Sequence, residues 1–334
     1  MMKTKKLIVT LIVMVFLVFF TNSCFASEAT TYKLVGSTQV EKESVYYRTL
    51  EKFASLVEEY YGKPIEFDLH SSGDIGNDID VFENIIQGIS VDFIMMAPSL
   101  MSNWDKPITF LDTPFLWKNV DHWQKAFAEP DMFKMLEDNL REKGARILGY
   151  GGGGIRNMIL DKEIGSFEDL KSVEMRVMGA PIQANVFNAT GVQATPMDYL
   201  EVYNAIKMGV IDGLENEAST LKPMRFYEVA PNIVLTEHAI TIRPVVFSEK
   251  RFQSFPEDLQ QAILKAGKEA GDFARATELK EGAEILAGLE SEGKINIIEF
   301  PDRMKMREKA IPVIEDYAEE LGVSEILEKI KEIE

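Results

Sequence analysis

Residues 31–96 switch repeatedly between two hydrophobic periods, and that alternation constrains the fold more tightly than any other stretch. TYKLVG at 31–36 alternates as a strand does. Tyr46, Leu50, Phe53, Val57 and Tyr60 then recur at helical spacing, and Gly62 is placed to end that helix. PIEFDLH at 64–70 reads as a second strand. A polar turn, SSGDIGND, leads to a helix around 81–87 that closes at Gly88. VDFIMM at 91–96 is short and apolar throughout, as a buried parallel strand should be. Strand, helix, strand, helix, strand is the opening of a doubly wound α/β sheet.

A loop-rich bridge at 98–120 holds Trp104, Pro107, Pro114 and Trp117. A helix follows to about Lys143, then a strand at 145–149. The pattern restarts with strands near 156–160 and 173–178, a helix near 182–190 and a strand at 193–197. Asp198, with Glu201 three residues on, has the spacing of a capping box and opens a helix ending near Gly209. IDGLENE is strand-like. Pro256 opens a helical region that persists to about Leu289. At about 1.5 Å per residue such a helix outruns one lobe and is expected to brace two. The expected class is α/β with two lobes: 27–150 mainly the first and 151–250 mainly the second. The long helix and charged C-terminal helices of 251–334 pack on both. With 334 residues, 46% of them hydrophobic, the chain can bury cores of that size.

The N-terminus reads as an export signal over 1–26, with cleavage near 23–26. Lys3, Lys5 and Lys6 precede an apolar run at 7–20, broken only by Thr10. That run is shorter than the roughly 20 residues a membrane-spanning helix needs. Two endings compete: ordinary cleavage after Cys24-Phe25-Ala26, or a lipoprotein acylated on Cys24. Removing residues 1–23 strips three lysines and no acids, which takes the formal net charge from −18 to −21. So acidic a chain has no basic footprint for nucleic acid or anionic lipid. An anionic ligand would need local cations to hold it against the global field. Cys24 is the only cysteine, so there is no internal disulfide and no cysteine metal cluster.

Several motifs invite chemistry and have plainer readings. Gly149-Tyr-Gly151-Gly-Gly-Gly154 fits G-x-G-x-x-G, but strand-like IRNMIL follows instead of a helix, so no helix N-terminus is available for a phosphate. Backbone crossing between lobes, where side chains would obstruct, accounts for it better. His70, His122 and His238 lack any metal-ligand spacing, and no G-x-S-x-G nucleophile occurs. No metal or cofactor is expected. Asp212, Glu215 and Glu217 crowd one segment and could do acid–base work, or Asp212 and Glu215 could simply bond backbone and turn. Glu217, in a cleft, would sooner partner an arginine. Arg156 and Arg176 each sit among apolar strand residues, and Arg243 precedes Pro244. A buried arginine must be paired, either by a structural acid or by a ligand's carboxylate, which its planar fork grips with two parallel hydrogen bonds.

EMRV, GVQATPM, EVYNAIKMGVIDGLEN and FYEV stand here in the order of K-x-R-V, G-A-x-P-T-P-M, E-V-Y-x-A-L-Q-x-G-V-V-D-G-x-E-N and F-Y-E-V. SGDIGND and DTPFLW also look like S-x-x-L-G and L-P-F. In these segments the chain resembles the DctP-type solute-binding receptors of TRAP (tripartite ATP-independent periplasmic) transporters, over essentially its whole mature length. The resemblance implies a two-lobe, periplasmic-binding-protein-like receptor that closes on an organic acid and delivers it to a membrane permease, with no chemistry on the ligand. It puts the carboxylate clamp on Arg176, a second ligand arginine on Arg156, the amide on Asn216 and an aromatic wall on Tyr199. Asp78 and the 37–39 loop with Gln39 align with ligand contacts, and Glu217 and Arg243 join the expected ligand set. Two departures are Lys207 for the usual Gln and Glu217 for the usual Pro. The MMAPS end of the first-lobe strand is apolar where some relatives carry a polar ligand contact, which weighs against a large, heavily hydroxylated ligand such as sialic acid. A sugar acid and a C4-dicarboxylate both fit. The rivals are a receptor for an ATP-driven importer and an exported hydrolase using Asp212, Glu215 or Glu217.

Overall fold

The computed structural model describes residues 31–334, so the export signal and Cys24 lie outside the described residues. The strands are β1 (Tyr32–Ser37), β2 (Ile65–His70), β3 (Phe93–Met95), β4 (Ala145–Leu160), β5 (Glu174–Val177), β6 (Gln193–Pro196), β7 (Gly213–Glu217), β8 (Asn232–Ser248) and β9 (Asn296–Glu299). The helices are α1 (Val45–Tyr61), α2 (Asp78–Gln87), α3 (Val120–Ala128), α4 (Lys134–Glu142), α5 (Pro181–Thr190), α6 (Val202–Lys207), α7 (Glu249–Gln253), α8 (Glu257–Ser291), α9 (Arg303–Glu320) and α10 (Ser324–Glu332). The first five regular elements follow the sequence pattern. Ser44 caps α1 by accepting from Tyr47 N, and Gly62 ends it in the left-handed conformation. Asn77 and Gly88 do the same for α2.

One sheet, ordered β2-β1-β3-β8-β4-β7-β5-β6, runs through the molecule, with β9 added beside β8. Its two ends, β2-β1-β3 and β7-β5-β6, are parallel within themselves. The middle is the antiparallel pair β4 and β8, of 16 and 17 residues, which belongs to both ends at once. The separate strands expected at 145–149 and 156–160 are therefore one strand. The expected helix from Asp198 to about Gly209 is shorter too: Asp198 accepts from Leu200 N to start a 3₁₀ turn at 199–201, and only α6 is α-helical.

The glycine run at 149–154 explains how β4 crosses. A Cβ on Gly149 would collide with the Gly267 carbonyl of α8, and one on Gly271 would lie 2.7 Å from the Tyr150 carbonyl. The buried face of α8 includes Ala262, Ala266, Gly267, Ala270, Gly271 and Ala274. Small residues on both elements let the helix backbone rest on the strand. α8 has 35 residues, about 50 Å at 1.5 Å each. Its N-terminal half packs with Leu50, Phe53 and Val57 of α1, and Leu289 near its end packs with Leu214, Phe226 and Ile233. Among the described residues no helix is long and apolar enough to cross a membrane.

Candidate functional site

The β4–β7 register builds the first part of the site. It places Arg156 opposite Glu217, with Glu215 two residues along on the same face. Arg156 Nε donates to Glu215 Oε2 at 2.5 Å, Nη2 donates to Glu215 Oε1 at 2.8 Å and its carbonyl at 2.7 Å, and Nη1 donates to Glu217 Oε2. His238 Nε2 lies 3.0 Å from Glu215 Oε2, and Thr236 Oγ1 lies 2.9 Å from His238 Nδ1. Burial pulls the His238 pKa down, though its bond to Glu215 opposes this. The neutral ring thus donates through Nε2–H and accepts from Thr236. Burial alone would raise the Glu215 pKa, but Arg156 and His238 hold it at about 2. All these side chains are at least nine-tenths buried.

Arg243 of β8 closes the cluster from the other side. Its Nε donates to Tyr46 Oη at 2.6 Å, and Nη1 donates to Asp112 Oδ1 at 3.2 Å and the Ile242 carbonyl at 2.8 Å. Its Nη2 is 3.6 Å from Glu217 Oε2. Tyr46 in turn donates to Glu217 Oε1 at 2.6 Å, which ties α1 to β7. Behind Glu217, on α8, Glu278 accepts from Ser219 Oγ at 2.9 Å while its Oε2 has no partner. Burial, then the Glu217 charge, raise its pKa to about 8.

Arg176 on β5 differs from the other two arginines. It is 3% exposed, yet among the described residues it forms no ion pair, and its one hydrogen bond runs from Nε to the Met197 carbonyl at 2.9 Å. Burial lowers its pKa to about 10, with Glu215 opposing, so it stays cationic at neutral pH. Its guanidinium carbon lies 5.4 Å from the centre of the Tyr199 ring. Asn216 Nδ2 donates to Tyr199 Oη at 2.9 Å. Across the gap, Gln39 and Asp78 bond each other: Gln39 N to Asp78 Oδ1 at 3.0 Å, and Asp78 N to Gln39 Oε1 at 3.3 Å. Burial raises the Asp78 pKa to about 7.

These groups surround one cavity. Gln39, Asp78, Arg156, Arg176, Tyr199, Asn216, Glu217 and Arg243 all line it, so every residue of the expected ligand set is brought together. This inner chamber is about 40 Å³, room for about three water-sized groups. An adjoining chamber of about 270 Å³ shares Gln39, Leu100, Arg176 and Tyr199 and opens toward Ser102, Asn103 and Asp198. Tyr46 and Thr220 also line the inner chamber and carried no signal in the sequence. Asp212 stands elsewhere, accepting from Glu174 N at 2.7 Å and paired with Lys162 at 2.6 Å. The plain reading of Asp212 as a backbone acceptor fits; for Glu215 it gives way to the ion pair. Among the described residues no three His, Cys, Asp or Glu side chains converge to hold a metal ion.

A solute-binding protein of Sulfitobacter sp. (strain NAS-14.1) is 43% identical over 299 residues, covering 89% of this chain and 90% of that protein. A crystal structure of a TRAP periplasmic solute-binding protein from Sulfitobacter sp. NAS-14.1 with bound α-D-taluronate superposes with a TM-score of 0.88 at 42% identity, covering 90% of this chain and 97% of that one. A second TRAP structure from that strain, with bound β-D-galacturonate, gives 0.82 at 26% identity, covering 88% and 98%. The fold is thus that of the two-lobe solute-binding proteins. The sequence pattern of bacterial extracellular solute-binding protein, family 7 (DctP), matches residues 36–320, and the chain belongs to that family.

Proposed function

We propose that the protein is the extracytoplasmic receptor of a TRAP transporter, capturing a sugar acid between its lobes and delivering it to a membrane permease. Arg176 carries this reading. It is a buried cation without an acid, it lines the cavity, and burying an unmatched charge costs several kcal/mol. A ligand carboxylate supplies the missing charge and accepts two parallel hydrogen bonds. Asn216 bonds an adjacent oxygen, and Tyr199 covers one face. Gln39 and Asp78 meet ligand hydroxyls from the first lobe, and Arg156, Glu217 and Arg243 form a polar floor. The acids seen in the Sulfitobacter structures, taluronate and galacturonate, are hydroxylated monocarboxylates of this kind. The ligand binds the closed arrangement more tightly and so shifts the population toward it.

Two observations favour binding over hydrolysis. Glu215 is locked by Arg156 and His238, and Glu217 by Arg156 and Tyr46. The family match favours a TRAP permease over an ATP-driven importer as the partner. The test is thermal shift of protein stripped of solute by unfolding and refolding, against a panel of hexuronates and aldonates. Ligand at 100 times Kd stabilises by about 2.7 kcal/mol. One acid should raise the melting temperature of wild type, and Arg176→Ala should abolish the shift while melting no lower without ligand. Wild-type affinity in Arg176→Ala would sink the clamp; no shift with any acid would sink the ligand class.

A further inference from the structure

We infer that Glu217 sets the charge this cavity accepts, admitting monoanionic acids and refusing a ligand with a second carboxylate. The inference rests on the sugar-acid reading above and narrows it. Three arginines line the chamber, and on that count alone a dicarboxylate would fit well. Two of the three are already matched. Every nitrogen of Arg156 donates to Glu215 or Glu217. Arg243 faces Asp112 at 3.2 Å and Glu217 at 3.6 Å, with Tyr46 on its Nε. Two arginines thus meet three carboxylates. The one unpaired cation among the described lining residues is Arg176, and the first carboxylate of a ligand takes it.

A second carboxylate would enter a chamber whose other two arginines are already outnumbered by carboxylates, with Glu217 in its lining and Asp78, its pKa raised by burial to about 7, adding a part charge at neutral pH. Like charges brought together out of water repel strongly, and such juxtaposition is a known source of discrimination. The position of Glu217 is firmly set. Strand register puts it opposite Arg156, and Tyr46 reaches from α1 to hold its Oε1. It is 1% exposed. Without its charge, Arg156 and Arg243, which both line the chamber, would keep only Glu215 and Asp112, and the excess negative charge that opposes a second carboxylate would be gone.

The experiment is isothermal titration at neutral pH with D-galactonate and with galactarate, the diacid of the same open-chain skeleton. Wild type should bind the diacid about 100-fold more weakly. Glu217→Gln should narrow that gap to about tenfold or less, mainly by gaining affinity for the diacid. Comparable binding of both acids by wild type, or an unchanged gap in Glu217→Gln, overturns the inference and leaves the carboxylate receptor standing. Binding of neither acid, with a full panel of other sugar acids also silent, overturns the sugar-acid reading and the inference with it. Circular dichroism establishes that the variant folds. Should it not, Glu217→Ser takes its place in the same comparison.

Discussion

Arg156 and Arg176 lie on neighbouring parts of one sheet and are equally buried, yet their electrostatics are opposite. Arg156 is raised in pKa, since Glu215 and Glu217 outweigh the burial that would lower it; Arg176 is lowered by burial. Removing Arg156 strips the counter-charge from two buried glutamates. Arg156→Met is therefore expected to lose about 3–5 kcal/mol of stability in chemical denaturation, ligand or no ligand. Glu278 offers a second reading of burial. Its pKa rises from the ordinary 4.5 to about 8 on folding, so the folded state binds the proton more tightly. That contribution is whole below pH 4.5 and fades as pH climbs through 8. Glu278→Gln should accordingly melt above wild type at pH 8 and converge with it near pH 4.5, and scanning calorimetry across that range checks this. The sequence displayed Arg156, Arg176 and Arg243 because a cation among apolar strand residues stands out. It hid Tyr46, Asp112 and Glu278, since each reaches the site from a distant segment whose own pattern is that of ordinary helix or loop.

Among the elements, the packing of α8 on β4 depends on the absence of side chains. A methyl at Gly149 meets the backbone of Gly267 and Lys268, which cannot swing aside as a side chain could. Gly149→Ala should cost at least about 2–3 kcal/mol by urea denaturation, while Gly282→Ala, where a Cβ meets nothing within 4 Å, should be neutral or stabilising. The same glycines misled the sequence reading: four in succession have no strand pattern, so β4 appeared as two pieces. The long strand β8 was hidden for another reason. Glu237 has a positive φ of 43° and interrupts the alternation, and Pro244, which donates nothing to a ladder, stands inside it. The shorter elements of 31–96 carry no such interruption and were legible to within a few residues.

For the whole molecule, the alternating pattern and the long helix were enough to show two lobes, but not how they are joined. The sheet does not stop between them. β4, β8 and α8 all cross, and register shifts between Ile147 and Gly149, between Gly152 and Ile155 and between Arg156 and Met158 interrupt the β4–β8 ladder along the way. Bulges raise local twist and bend, and the last of these falls at Arg156 itself, in the arginine cluster. The lobes are consequently not interchangeable modules. A chimera that took one lobe from a relative would have to be joined at three places in the chain, and each joint would fall within a continuous strand or helix. New ligand preferences in a chain built this way arise more readily by replacing single side chains around the cavity than by shuffling lobes.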